Sequence, residues 1–409
     1  MKNILFVSYG GGHVSNLLPI YKEICHSPSV NPTFLALTTA QNYLDQRHVK
    51  YIGYKDLPFD LPIDNQKDAK ILLDQIQNQP INPEESVAYL GWNMWDLEKQ
   101  YGRKAAIEKY NKFGRACFYP INLMKKVLEA YSADLVVTTS APRSEKAVID
   151  AAVEMRIPSV CIPDIVVNLD LCGWIANNGF ASKLCVATRK IKERIVALNR
   201  NPNSIVVTGS PAIESFAHPL ASEEKSAFLK KLNIDTNKHI ILYAPSPEYS
   251  KNTFTGKISN ENLPKEILET ICSYFVKEDK YQIIYRPHPN QNFNLESSFI
   301  NNIIVDEGYD LKSIISISDV VITTASTVGI LAQILGKPLL AVSLSVHFKN
   351  VDYSDFGDYV CVDSLDFLNA AIIKLLRKRQ KIRPFNTAPI VFQEVTKNIK
   401  KEIERLLDF

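Results

Sequence analysis

No run of this sequence approaches the ~18 apolar residues that a membrane-spanning helix requires, so no transmembrane segment is expected. The first residues lack a basic stretch followed by a long apolar core, so no secretory leader is expected either. The seven cysteines are odd in number and scattered, and none stands in a C-x-x-C pair. That excludes a disulfide framework and a zinc knuckle as expectations. Cys161 and Cys185 sit inside apolar runs and read as small buried hydrophobes. A reducing cytoplasm is the expected compartment. Charge of one sign is also missing. Lys+Arg number 47 against 44 Asp+Glu, a net of +3, too balanced for a protein built to grip nucleic acid. There is no Asp-x-Asp, so a metal-bridged diphosphate lacks its usual ligands, and neither metal nor cofactor is expected. No fixed-period repeat or low-complexity tract occurs.

What is present is ordinary for a folded chain: 409 residues, 46% hydrophobic and 22% charged. At roughly 150 residues per domain this length predicts two or three domains. The charge is uneven. Residues 370–409 carry ten basic and four acidic side chains, +6, against −3 for the rest. Lys374, Arg377, Lys378, Arg379, Lys381 and Arg383 fall within ten residues, which points to an anionic surface such as the inner face of a membrane. A solvated helix face is the competing reading.

Short β-branched runs alternate with longer helical stretches. Residues 3–8, 33–38, 134–139, 158–162, 183–188 and 204–208 read as strands, and after a pause the alternation restarts at 239–244, 281–286, 303–305, 319–324, 339–343 and 359–362. Continuous Val/Ile/Leu runs mark strands covered on both faces. The expected fold is therefore α/β, two Rossmann-like doubly wound parallel-sheet domains facing a cleft. The boundaries read as 1–210 for an N-terminal domain, 211–235 for a linker, 236–388 for a C-terminal domain and 389–409 for a terminal amphipathic helix. Residues 56–115 form a long insertion whose structure is the least legible part.

Four segments carry candidate chemistry. The first strand ends in Ser8-Tyr9-Gly10-Gly11-Gly12-His13. Glycines at a strand-to-helix turn admit close backbone approach, and the helix start offers unpaired N–H groups to an anion. The spacing fits neither the dinucleotide fingerprint nor the Walker loop. His13 stands where open α/β sheets bind ligands. Tyr285-Arg286-Pro287-His288-Pro289 ends a strand in the second half, and its prolines fix the backbone around Arg286 and His288, both able to donate to phosphate oxygens. A third strand runs into Ser326-Thr327, either of which can cap the following helix beside an anion site. Ala244-Pro245-Ser246-Pro247-Glu248 lies on the first loop of the second half, with Ser246 as a weaker phosphate or ribose contact.

This layout resembles the GT-B superfamily of nucleotide-sugar enzymes. The Gly-Gly-Gly-His turn is similar to the acceptor-side loop of MurG-like glycosyltransferases. Val207-Thr208-Gly209-Ser210-Pro211 resembles the stretch closing the N-terminal half of the non-hydrolysing UDP-GlcNAc 2-epimerases. Arg286-Pro287-His288-Pro289 and Ser326-Thr327 resemble the His-Pro motif and following Ser/Thr pair of bacterial capsule and sialic-acid-type transferases. Two departures argue against epimerisation: Val328-Gly329 stands where the epimerases carry an acidic pair, and Pro245-Ser246-Pro247-Glu248 where they carry His-Arg. Asp306-Glu307-Gly308 matches an acidic sialyltransferase motif in letters but follows the His-Pro motif, and reads as coincidence.

The resemblance implies a metal-independent glycosyltransferase that moves a sugar from a UDP- or CMP-linked donor to a glycan or lipid-linked acceptor in bacterial surface polysaccharide synthesis. An epimerase or hydrolase acting on the nucleotide sugar itself is the alternative, and a non-catalytic sensor the third reading. His13 is the first candidate for the base that takes the acceptor proton, with Glu145 and Asp164 in reserve. Arg286, His288, Ser246, Ser326 and Thr327 are the expected donor contacts, and Gly10, Gly11 and Gly12 the acceptor-side loop. No nucleic-acid partner is expected.

Overall fold

Each of the apolar runs becomes a parallel strand, and the central ones are covered on both faces. In the computed structural model, which describes residues 1–74, 82–250, 256–288, 303–306, 308–378 and 394–408, strands β3 (Leu135–Thr138), β10 (Val320–Thr323) and β11 (Leu339–Val342) are buried at every position. The remaining strands are β1 (Lys2–Ser8), β2 (Val30–Ala36), β4 (Ser159–Cys161), β5 (Lys183–Val186), β6 (Ile205–Val207), β7 (His239–Tyr243), β8 (Tyr281–Tyr285), β9 (Ile303–Val305) and β12 (Val360–Val362). All twelve lie within two residues of the runs, apart from β2, which starts three residues earlier. The fold is α/β with two parallel six-stranded sheets, as expected.

The chain divides into two compact units, Met1–Glu214 with Glu394–Phe409, and Ser215–Gln393. Unit 1 has strand order β2-β1-β3-β4-β5-β6 and unit 2 has β12-β11-β10-β7-β8-β9. In each, the first strand of the unit sits beside a strand reached after the chain has reversed direction across the sheet. The reversal falls between β1 and β3 in unit 1, where Ile4 pairs with Leu135 and Phe6 with Val137. In unit 2 it falls between β7 and β10, where Ile241 pairs with Val320. Loops leaving such neighbours diverge to opposite faces and open a crevice at the carboxyl ends of the strands.

Alternate residues of β1 serve two cores. Ile4 and Phe6 join Val14, Leu17 and Ile20 of α1 (Gly12–Cys25) on one face. Leu5 and Val7 join the insertion on the other. The insertion is helical: Ile63–Asp74, α2 (Pro83–Tyr101) and Arg103–Phe113. Asn82 accepts the Glu84 N–H at 2.8 Å and Pro83 occupies the first turn, so α2 starts with a formed cap. Its Tyr89, Trp92 and Met94 enter the core. Helix α3 (Ser144–Glu154) follows β3, and α4 (Thr327–Ile334) follows β10. The last helix, α5 (Val395–Leu406), buries Val395, Ile399 and Ile403 in the unit 1 core beside α1.

Lys374, Arg377 and Lys378 fall on the helix Leu368–Lys378. Arg379, Lys381 and Arg383, the rest of the basic cluster, lie outside the described residues, as do Pro289 and Glu307. Among the described residues no helix is long and apolar enough to cross a membrane.

Candidate functional site

In unit 1 the glycine turn links β1 to α1 at the reversal point. Gly11 has φ 69° and ψ −134°, a left-handed backbone that glycine alone adopts without strain. A Cβ at Gly10 would stand 1.9 Å from the Thr39 hydroxyl oxygen, so the turn packs backbone against side chain. A Cβ at Gly12 would stand 3.3 Å from Asp164 Oδ2. Asp164, beyond the end of β4, therefore brings its carboxylate to the first turn of α1, while its Oδ1 accepts the Ile165 N–H at 2.7 Å.

His13 is on that first turn, with its side chain 27% exposed. Its Nδ1 is 2.6 Å from the Thr139 hydroxyl oxygen at the end of β3. The Thr139 hydroxyl donates in turn to Glu145 Oε2. Glu145 is wholly buried and also accepts the Tyr9 N–H at 2.7 Å and the Ala141 N–H at 2.9 Å. Glu145, a reserve candidate for the base, is thus buried, and its carboxylate is linked through the Thr139 hydroxyl to the His13 ring.

A buried hydroxyl cluster underlies this crevice. Tyr9 donates to Ser144 Oγ at 2.9 Å, and the Tyr54 hydroxyl is 2.8 Å from the same oxygen. Arg143, with φ 69°, lays its guanidinium 4.7 Å from the Tyr9 ring centre. Burial pushes the Tyr9 and Tyr54 phenols well above their ordinary range, so both stay protonated as hydrogen-bond donors.

In unit 2 the reversal point joins Ser246 to Thr324, two residues before Ser326. The Ser246 N–H donates to Thr324 Oγ1 at 3.0 Å, and the Thr323 hydroxyl to the Ala244 carbonyl at 2.7 Å, so the loops after β7 and β10 are tied together. Ser326 caps α4, its Oγ accepting the Val328 N–H at 3.2 Å. Thr327 is exposed at the same helix start. The Tyr353 hydroxyl accepts the Ser326 N–H at 2.9 Å and lies 2.9 Å from the Ser326 carbonyl, clasping the loop at the start of the helix. Room for that ring comes from Gly329, where a Cβ would stand 2.5 Å from Tyr353 Cε1.

Arg286 and His288 follow β8, the neighbour of β7. Arg286 Nη1 pairs with Asp306 Oδ2 and donates to the Tyr309 carbonyl at 2.9 Å. Asp306 is buried and accepts the Gly308 and Tyr309 N–H groups at 2.9 and 2.7 Å. The acidic motif that reads as coincidence in the sequence therefore contributes, through Asp306, the partner of Arg286. His288 is half-buried, and desolvation pushes its imidazole below the ordinary value, favouring the neutral form.

Each unit thus gathers its own residues: His13, Glu145, Asp164 and the three glycines in unit 1, and Ser246, Ser326, Thr327, Arg286 and His288 in unit 2. Sequence reasoning missed Thr139, Asp306 and Tyr353. The hydroxyl run Thr138-Thr139-Ser140 at a strand end was the available signal for the first. For Tyr353, remote in sequence from the loop it clasps, there was none. Among the described residues no three His, Cys, Asp or Glu side chains group closely enough to hold a metal ion.

The fold has clear relatives. The S. aureus MnaA–UDP co-structure superposes with TM-score 0.62 at 13% identity, over 100% of this chain and 97% of that one. UDP-GlcNAc 2-epimerase from Neisseria meningitidis, bound to UDP-GlcNAc, gives 0.63 at 15% identity over 99% and 100%. A glycosyltransferase from Rickettsia africae gives 0.54 at 14% over 99% and 98%. The chain has the GT-B fold, with distant similarity to the epimerases. Within it, residues 178–347 match the family model described as CDP-Glycerol:Poly(glycerophosphate) glycerophosphotransferase, a segment containing Ser246, Arg286, His288, Ser326 and Thr327. No curated protein sequence matches the chain.

Proposed function

We propose that this protein is a transferase that moves an activated group from a nucleotide-linked donor to an acceptor hydroxyl, most simply a sugar from a nucleotide sugar to a glycan or lipid-linked acceptor. The observation that carries this reading is His13: a partly exposed imidazole backed by a buried carboxylate at the unit 1 crevice. Such a group accepts a proton from an attacking hydroxyl as its oxygen bonds to the transferred carbon. The bond from that carbon to the donor phosphate breaks, and the nucleotide leaves with the electron pair. On the donor side, the start of α4, Arg286 and His288 supply N–H donors for that developing negative charge. Asp164, at the first turn of α1, is the second group able to orient a hydroxyl.

A second reading is favoured by the family match over residues 178–347. There the donor is CDP-glycerol and the acceptor oxygen attacks the glycerol-bearing phosphorus, releasing CMP. His13 serves the same purpose in both. The products separate them: sugar transfer adds no phosphorus to the acceptor, whereas glycerophosphate transfer adds one phosphodiester, visible by ³¹P NMR.

The test is turnover of UDP-sugars, CMP-sugars and CDP-glycerol by the purified chain, with and without a hydroxyl acceptor. Donor consumption without acceptor would instead indicate an epimerase or hydrolase. His13→Ala is expected to lower transfer by about 10²–10⁴-fold while leaving nucleotide affinity intact. Near-normal transfer by that variant would remove His13 from the reaction.

A further inference from the structure

We propose that Thr139 is a positioning residue that fixes the tautomer of His13, using the buried Glu145 as its anchor. The inference rests on the reading of His13 as a base, but its geometry stands apart from that reading.

The directions of the hydrogen bonds decide it. A carboxylate only accepts. Glu145 takes the Tyr9 N–H on Oε1, and the Ala141 N–H and Thr139 hydroxyl on Oε2. A threonine hydroxyl owns one proton, and here that proton points at Glu145. Thr139 Oγ1 then meets His13 Nδ1, 2.6 Å away, with lone pairs alone. Only a protonated Nδ1 makes that contact attractive. In neutral His13 the proton therefore sits on Nδ1 and Nε2 carries the free lone pair, the arrangement a proton acceptor needs. The His13 Nδ1 to Glu145 Oε2 distance of 3.9 Å is too long for a direct hydrogen bond, so the hydroxyl is the link. When Nε2 takes a proton, the charge on the ring faces the same carboxylate across the same hydroxyl.

Glu145 is held without Thr139. Its two backbone donors come from the end of β1 and the start of the loop into α3, so removing the hydroxyl leaves the carboxylate in place. Thr139→Val keeps the branched shape and deletes the link, and Thr139→Ser keeps the link in a smaller side chain.

The experiment is ¹⁵N NMR of the full-length protein labelled at its seven histidines, with the His13 signals assigned by their loss in His13→Gln. At a pH where the ring is neutral, the wild type is expected to show a protonated Nδ1 and a bare Nε2. Thr139→Ser should keep that pattern. Thr139→Val should lose it and move toward the Nε2–H form, with the other histidine signals unmoved. A bare Nδ1 in the wild type overturns the proposal even if Thr139→Val fails to fold, and so does an unchanged His13 spectrum in that variant.

Turnover gives the second readout. Thr139→Val should lower kcat by about tenfold or more at constant KM and displace the pH profile, and Thr139→Ser should restore both. The two ideas fail separately. An active His13→Ala enzyme with the expected spectra would remove the base and keep the relay. An inactive one with an Nε2–H ring would keep the base and remove Thr139.

Discussion

Replacing Arg286 by methionine should cost unit 2 stability for a reason that has nothing to do with a donor. Asp306 is buried, and the guanidinium is its cationic partner. Removing one member of a buried pair typically costs about 3–5 kcal/mol, because the other charge is left uncompensated. Two features reduce that here. The Arg286 side chain is 26% exposed, which screens the pair, and Asp306 keeps two backbone N–H donors. A loss of roughly 1.5–2.5 kcal/mol follows, or about 3–10 °C in the melting temperature of a unit of this size. Adding Asp306→Asn should recover part of it, since a neutral amide still accepts the two N–H groups without stranding a charge. A coupling of about 1 kcal/mol or more is the signature. Calorimetry measures the loss, and hydrogen exchange in 281–288 and 303–306 locates it. Trp92, Trp95 and Trp174 all lie in unit 1, so tryptophan fluorescence serves as the internal control. If Arg286→Met changes stability by less than about 0.5 kcal/mol, or the second substitution recovers nothing, the pair is not holding the loop. Nucleotide affinity is the separate arm: a role at the donor phosphate predicts a tenfold or larger loss in Arg286→Met.

His288 should make nucleotide binding depend on pH. Burial lowers its pKa in the free protein, so a bound phosphate, which favours the protonated ring, must draw in a proton. Affinity should then rise as pH falls from 7.5 toward the lowered value, with proton uptake measurable by calorimetry in buffers of different ionisation enthalpy; a flat profile matching His288→Gln would refute the contact. The same depression has a stability sign. The unfolded ring protonates first as pH drops below about 6.5, so stability is lost on acidification through that window and is fully present above it. Gly329→Ala should destabilise unit 2 by about 1–3 kcal/mol through overpacking against Tyr353, read by chemical denaturation, and an unchanged midpoint would mean the clasp yields freely. Transfer should survive chelation by EDTA, given the lack of Asp-x-Asp; complete loss reversed by Mg²⁺ or Mn²⁺ would mean the leaving charge is met by a cation.

The strands were legible because runs such as Leu135–Thr138 and Val320–Thr323 are apolar on both faces, a pattern few other structures tolerate. Their order in the sheet was not, and the order is what puts Thr139 beside His13 and Ser246 beside Thr324. Local pattern specifies an element, whereas a site is made by elements that meet after long crossovers. Asp306 shows this directly. Read by its neighbours in sequence it belonged to a motif in the wrong place, and only the parallel pairing of β8 with β9 brings it to Arg286. The insertion was opaque for another reason. Helix α2 buries residues around most of its circumference, Glu85 and Asp96 among them, so no polar face marks its period.

The return of the chain to unit 1 through α5 makes that unit discontinuous, with all of Ser215–Gln393 interposed before its final helix. On a ribosome, every residue of unit 2 is synthesised before Val395, Ile399 and Ile403 exist to seal the face formed by Ile4, Phe6 and Leu17. Unit 2 can therefore reach its native state while unit 1 still shows an open apolar seam, reversing the usual amino-first order of domain maturation. Deleting the last sixteen residues would forfeit four buried aliphatic side chains, Val395, Ile399, Ile403 and Leu407, each contributing about 1.5–3 kcal/mol, from the unit that carries His13. A nascent chain thus completes unit 2 before unit 1, and a chain clipped at its carboxyl end leaves unsealed the unit whose first helix carries His13.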